Sequence, residues 1–215
     1  MIDCIILSYA RDKQLERMTQ RAVNSLIADG GTVYVVETGN ATYSGCQTIH
    51  PNTEFNYNKF MKIGINSGSN PYVFMLNNDI LCKKMCLKSL VMALEEFDSV
   101  SPKNPLLPQH NQFKEHYNEG FSIWMPGHFA GWAVMMKRET IKEIGINKLL
   151  PDDFKFWYQD NVMTQVLKNN GKRHALVTSA ELEHFESKTL HGQEDKDHLT
   201  HEQKEIFDNY LESFE

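Results

Sequence analysis

A chain of 215 residues is long enough to bury one substantial core and short for two generous domains. Its formal charge of -6 argues against a protein that binds chiefly by neutralising phosphates on a basic face. Hydrophobic residues make up 41% and are broken throughout by charges, so no run nears the roughly 20 apolar residues of a membrane helix. Met1 to Leu7 shows no basic segment leading into a long apolar stretch and a cleavage site, so a cytoplasmic protein is expected. In that setting Cys4, Cys46, Cys82 and Cys86 are expected as free thiols, the last two as packing residues.

Residues 2–8 are a continuous, isoleucine-rich apolar run, the pattern of a strand covered on both faces. From Asp12 to Asp29 the residues Leu15, Met18, Ala22, Val23, Leu26 and Ile27 recur at three- and four-residue spacing, which predicts an amphipathic helix closed by Gly30 and Gly31. Thr32 to Val36 reads as a second strand running into the turn cluster Glu37-Thr38-Gly39-Asn40. A weak strand at Gln47 to Ile49, a helix from Asn58 to Ser67 and a strong strand from Tyr72 to Leu76 follow. After Asn77-Asn78-Asp79 come a helix from Lys84 to Phe97 and an aperiodic stretch, Ser99 to Trp124, read as loop. The remaining expectations are a strand at Val134 to Met136, helices at Arg138 to Ile144 and Asn161 to Asn170, a strand at Ala175 to Val177 and a charged helix from Thr200 to Phe214.

Alternating strands and helices imply an α/β sheet, whose ligands bind beyond the carboxyl ends of the strands. Ser8-Tyr9, Glu37-Thr38 and Asn77-Asn78-Asp79 fall at such ends. With no glycine-rich phosphate loop, a nucleotide here would be held by side chains and a metal.

Four pieces in order carry a family likeness: Phe55 to Ile65 continuing to Tyr72 through Ile80; Gly127 to Arg138 with Ile144-Gly145; Phe156 to Val162; and His184-Phe185-Glu186-Ser187. Together, over residues 2–190, they resemble family 2 glycosyltransferases of the GT-A fold. The departures are Leu7-Ser8-Tyr9-Ala10 in place of proline and asparagine after the first strand, Lys62 where asparagine is common, and Gln159 in place of a glutamate. The resemblance implies a Rossmann-like, mixed, mostly parallel central sheet flanked by helices. It places a nucleotide-sugar-binding half at about 1–98, an acceptor-binding half at about 99–190 and a helical tail at 191–215. The implied activity is metal-dependent, inverting transfer of a sugar from a donor, commonly UDP-linked, to a hydroxyl on a glycan, a lipid-linked saccharide or a modified nucleic-acid base.

Breaking the donor's glycosidic bond leaves a diphosphate gaining negative charge, which Mn2+ or Mg2+ stabilises directly. Asp79 and His184 are the implied metal ligands, completed by phosphate oxygens; otherwise Asp79 is a helix N-cap and His184 a surface histidine. Deprotonating the acceptor needs a carboxylate opposite the leaving group. Asp160 is that candidate, its surrounding aromatics favouring a raised pKa, unless it merely caps the helix at Asn161. Ser8, Tyr9, Glu37, Asn58, Lys59, Asn77 and Asn78 are candidate donor contacts, Glu37 for the nucleotide base and Asn58 with Lys59 for the phosphates. Trp132 and Trp157 are candidates for stacking on acceptor sugars. Two other readings share the sheet: a non-catalytic nucleotide- or glycan-binding module, and a sugar nucleotidyltransferase, for which Ala10-Arg11-Asp12-Lys13 lacks the expected glycines.

Overall fold

The structure is a computed structural model describing residues 1–119, 129–185 and 196–212. In chain order these form β1 (Ile2–Ser8), α1 (Lys13–Ala28), β2 (Thr32–Glu37), β3 (Gln47–Ile49), α2 (Tyr57–Ser67), β4 (Tyr72–Leu76), β5 (Ile80–Cys82), α3 (Cys86–Ala93) and β6 (Ser99–Lys103). Then come α4 (Pro108–Asn111), β7 (Tyr117–Glu119), β8 (Ala133–Lys137), α5 (Arg138–Ile144), α6 (Ile146–Leu149), α7 (Gln159–Asn169), β9 (His174–His184) and α8 (Lys196–Glu212).

The strands lie in the order β3-β2-β1-β4-β8-β6-β9-β5, with β7 also paired to β9. Pairing is parallel from β3 to β4 and again between β6 and β9. Strand β8 lies antiparallel between β4 and β6, and β5 and β7 run antiparallel to β9. All seven residues of β1 are buried, as expected for a strand with neighbours on both edges and helices on both faces. Successive side chains point to opposite faces. Cys4 and Ile6 therefore join Ala22, Leu26, Leu87 and Leu90 of α1 and α3, while Ile5 and Leu7 join Phe60, Val162 and Phe207 of α2, α7 and α8.

Local chemistry fixes the helix starts. Asp12 Oδ1 accepts from the N–H groups of Gln14 and Leu15 at 2.8 and 2.9 Å, satisfying donors that a first turn leaves open. Helix α2 is capped by Asn56, whose Oδ1 accepts from Lys59 N–H at 2.9 Å, so Asn58 lies inside the first turn and is not the cap. A Cβ on Gly64 would stand 2.2 Å from Ile5 Cγ2, so α2 lies this close to β1 only because that residue is glycine.

The stretch expected to be loop from Ser99 onward holds β6, α4 and β7. The sequence Ser-Val-Ser-Pro-Lys of β6 carries few strand formers, and its register shifts between Pro102 and Lys103, as proline in a strand requires. The late strand is eleven residues long, not three; β5 and α6 were not anticipated, α3 starts only after Met85 at φ 69, and α8 begins at Lys196. Residues 120–128, with Gly127 and His128, and 186–195, with Glu186, lie outside the described residues. At the amino ends of the strands Asp3, 0% exposed, receives Arg138 Nη2 at 2.6 Å and the backbone and side-chain amides of Asn70. All four cysteines are free thiols. Among the described residues no helix is long and apolar enough to cross a membrane.

Candidate functional site

Three neighbouring parallel strands end together on polar residues. Ser8 faces Glu37 across β1 and β2, and β4 passes at Leu76 into Asn77-Asn78-Asp79. Asp79 is followed at once by β5, so it caps no helix. The pairing of Ile80 with His184 and a 2.9 Å hydrogen bond from Phe185 N–H to the Asp79 carbonyl bring the two candidate ligands together. His184 Nε2 lies 3.2 Å from Asp79 Oδ1 and 3.3 Å from Asn77 Nδ2. Asp79 is 1% exposed and the His184 side chain 10%, which excludes a surface histidine.

Neighbours hold the imidazole in place. The Trp132 ring lies parallel to it, with centroids 5.0 Å apart and planes at 6°, and Asn104 brackets the His184 backbone, accepting from its N–H and donating to its carbonyl, each at 3.3 Å. A carboxylate oxygen and an imidazole nitrogen converging at one point suit Mn2+, or Mg2+ with more oxygen ligands. Among the described residues no cluster of three or more His, Cys, Asp or Glu could hold an ion, so Asp79 and His184 alone do not complete a metal's ligand shell. The donor set fits a divalent metal that takes further oxygen ligands.

Asp160 stands in the first turn of α7, whose N-cap is Tyr158 at φ 64. Its Oδ1 accepts from Asn161 N–H at 3.0 Å and its Oδ2 from Gly131 N–H at 3.1 Å. A Cβ on residue 131 would be 2.7 Å from the Asp160 Cβ, so glycine is what permits the approach. The next residue, Trp132, accepts Asn77 N–H at its carbonyl at 2.9 Å and stacks on His184. Gly131-Trp132 is thus a two-residue bridge from Asp160 to the Asp79–His184 pair. Tyr57 lies near enough for the Asp160 charge to add to burial in raising the phenol pKa.

The other candidates divide by what they touch. Glu37, 1% exposed, accepts from Ala10 and Gly39 N–H at Oε1, at 3.1 and 2.7 Å, and from the Tyr43 hydroxyl at Oε2, at 2.7 Å. Its carboxylate shapes the turn after β2 instead of facing an open pocket. From Tyr43 a chain of hydrogen bonds runs through Ser8 (3.0 Å) and Thr19 (3.1 Å) to Asn78 (3.0 Å). Burial, and then donation to Glu37, raise the Tyr43 pKa. Asn58 is buried and donates from Nδ2 to the Pro151 carbonyl at 2.6 Å, tying α2 to the segment before α7. Tyr9 is 40% exposed with the Arg11 guanidinium 5.8 Å from its ring centroid; Lys59 is exposed and Trp157 half-buried. Trp132, 8% exposed, stacks a ring face on His184. Sequence reasoning missed Thr19, Tyr43, Asn104 and Gly131 as parts of the site. Only Thr19 left a signal, a polar residue on the apolar stripe of α1.

No protein-family profile matches the sequence, and no curated protein is similar to it in sequence. Solved structures are similar. GalNAc-T7 with UDP, GalNAc and Mn2+ superposes with a TM-score of 0.66 at 11% identity, over 86% of this chain and 43% of that one. A mannosyltransferase from Pyrobaculum calidifontis with GDP-Man and Mn2+ gives 0.65 at 13%, over 87% and 57%. S. aureus TarS, residues 1–349, gives 0.62 at 16%, over 84% and 59%. The chain has the GT-A fold. It spans about half the length of these GT-A proteins, and the likeness is one of fold.

Proposed function

We propose that this chain is a metal-dependent glycosyltransferase that moves a sugar from a nucleotide sugar, UDP-linked by preference, to an acceptor hydroxyl with inversion at the anomeric carbon. The observation that carries the reading is the bridge: Gly131-Trp132 touches Asp160 at one end and Asn77 and His184 at the other. One group able to take a proton and one pair able to hold a metal therefore meet at the same two residues, as a two-part transfer requires. Two similar folds bind UDP or GDP-Man together with Mn2+, which supports the donor class.

Asp79 and His184 would hold Mn2+ or Mg2+, and the bound ion supplies the positive charge that stabilises the departing diphosphate. Asp160 takes the acceptor's proton. Its two oxygens each accept a backbone N–H, from Asn161 and Gly131, and those bonds fix the direction from which it acts. A base on the face opposite the leaving group gives inversion. The buried hydrogen-bond chain from Asn78 through Thr19 and Ser8 to Tyr43 and Glu37 supports the strand ends on which the donor would rest, with Tyr9 the exposed ring beside it. A glycan or lipid-linked saccharide is the proposed acceptor.

Incubation with UDP-glucose, UDP-galactose, UDP-N-acetylglucosamine and GDP-mannose, with and without Mn2+, tests the reading. Release of nucleoside diphosphate from one donor that stops on chelation is expected. Tight, metal-independent binding without turnover would instead support a binding module.

A further inference from the structure

The segment from Pro151 to Tyr158 leads directly into Asp160 and contains only turns and bends, so its own backbone cannot set the direction of that carboxylate. Two helices hold it. From α2, Asn56 Nδ2 donates to the Asp152 carbonyl at 2.7 Å and Tyr57 N–H to the Lys155 carbonyl at 2.8 Å. From α8, Gln203 is only 2% exposed; its Oε1 accepts from Lys155 N–H at 2.7 Å and its Nε2 donates to the Asp153 carbonyl at 3.4 Å. A buried amide is unfavourable unless both ends are satisfied, and here both are satisfied by this one segment.

The last residue of the segment is in an unusual state. Tyr158 has φ 64 and ψ 2, a left-handed conformation that a Cβ disfavours and that persists only where the surroundings impose it. Its ring lies on Phe207 of α8, with centroids 5.1 Å apart and planes at 15°. Phe207 is 7% exposed and also meets the edge of Phe154 at 6.4 Å. Asp160 follows two residues later.

We propose that Tyr158 is a positioning residue for Asp160, held in its left-handed conformation by its ring's stacking on Phe207 while Gln203 anchors the segment before it, so that α8 sets the aim of the base. This rests on Asp160 being the base. Loosening the Tyr158 ring lets the first turn of α7 swing and the bond to Gly131 N–H open, while Asp79 and His184, set by the β5–β9 register, stay in place.

The test uses full-length Phe207→Ala, Phe207→Tyr and Tyr158→Gly, the last accepting the backbone angle freely but lacking the ring. Phe207→Ala and Tyr158→Gly are expected to lower kcat by about 10²-fold, the scale of an ångström-sized misplacement, with donor KM and UDP–Mn2+ affinity unchanged; Phe207→Tyr keeps wild-type kcat. In hydrogen exchange the Gly131 and Asn161 amides speed up in Phe207→Ala and the Phe185 amide does not. Unchanged kcat, or a parallel fall in UDP–Mn2+ affinity with faster exchange at Phe185, overturns the proposal. If the wild type neither binds nor turns over any nucleotide sugar, the enzyme reading fails on its own; the exchange arm then decides whether the helix holds Asp160, and Gly131 protection that survives Phe207→Ala says it does not.

Discussion

Asp79 and Asp160 are both carboxylates close to Trp132, yet the chain holds them by different means. Asp79 sits between two strands, 1% exposed, and its distance to His184 follows from the pairing of Ile80 with His184. Asp160 sits at the start of a helix after an irregular segment, aimed by two backbone N–H groups and by the helices that grip that segment. A sheet register has one low-energy arrangement, whereas a helix start reached through turns can move. The proposed metal-binding half of the site is therefore set by sheet register, and the proposed proton-accepting half depends on packing from elsewhere.

That contrast breaks most sharply if each carboxylate is removed in turn. Asp160→Asn keeps the shape and an acceptor for one of the two backbone N–H groups but removes the base, so transfer should fall by roughly 10²- to 10⁴-fold with UDP–Mn2+ affinity intact by calorimetry. Asp79→Ala should do the reverse, weakening metal-dependent donor binding by at least the roughly 100-fold seen at the upper end for losing an outer-sphere partner of a metal ligand. Gly131→Ala pushes a methyl against Asp160, and about a 10²-fold loss of kcat at unchanged donor affinity is expected. Equal losses in binding and turnover would show that the two halves are not separable.

Two further variants test stability away from the chemistry. Arg138→Met leaves the Asp3 carboxylate buried without its ion pair, which should cost about 3–5 kcal/mol in urea unfolding while the folded fraction keeps its donor affinity. The smallest effect concerns pH. Burial holds the His174 pKa down at about 3, and burial, then Lys103, holds His110 at about 4. The unfolded chain takes up both protons near 6.5. Below that pH the unfolded state binds more protons, so stability falls as pH drops from about 6.5 toward the folded values, by up to ~1.4 kcal/mol per pH unit for each histidine. His174→Gln should flatten that slope by one histidine's share, read as urea midpoints between pH 7 and 4.5.

The first half of the fold was legible because its strands are rich in apolar residues: β1 is apolar from Cys4 to Leu7, β4 throughout, and α1 carries its cap, its stripe and its closing glycines in order. The second half was less so. In β6, Pro102 and two serines hide a strand whose partners, β8 and β9, lie far along the chain, and a three-residue β5 is too short for any period to show. Asp79 and His184 could be chosen from their positions after a strong strand and in a late motif. Their contact could not, since it depends on the β5–β9 pairing. Glu37 was correctly placed at a strand end, but its neighbours Tyr43, Ala10 and Gly39 come from turns whose geometry no spacing encodes. Asn58 was read as a phosphate contact from its place at the start of α2, but Asn56 caps that helix and Asn58 instead donates to the Pro151 carbonyl, a tertiary contact that no local spacing shows.

The central claim is a metal–diphosphate site at Asp79 and His184 that works independently of Asp160. Thermal unfolding of the wild type, Asp79→Ala and Asp160→Asn with UDP and Mn2+ tests it most directly, because a ligand bound only to the native state raises Tm by mass action. A rise in the wild type and in Asp160→Asn, absent from Asp79→Ala and abolished by chelation, is the predicted result. No rise in the wild type with any nucleotide, or an equal rise in Asp79→Ala, would contradict it.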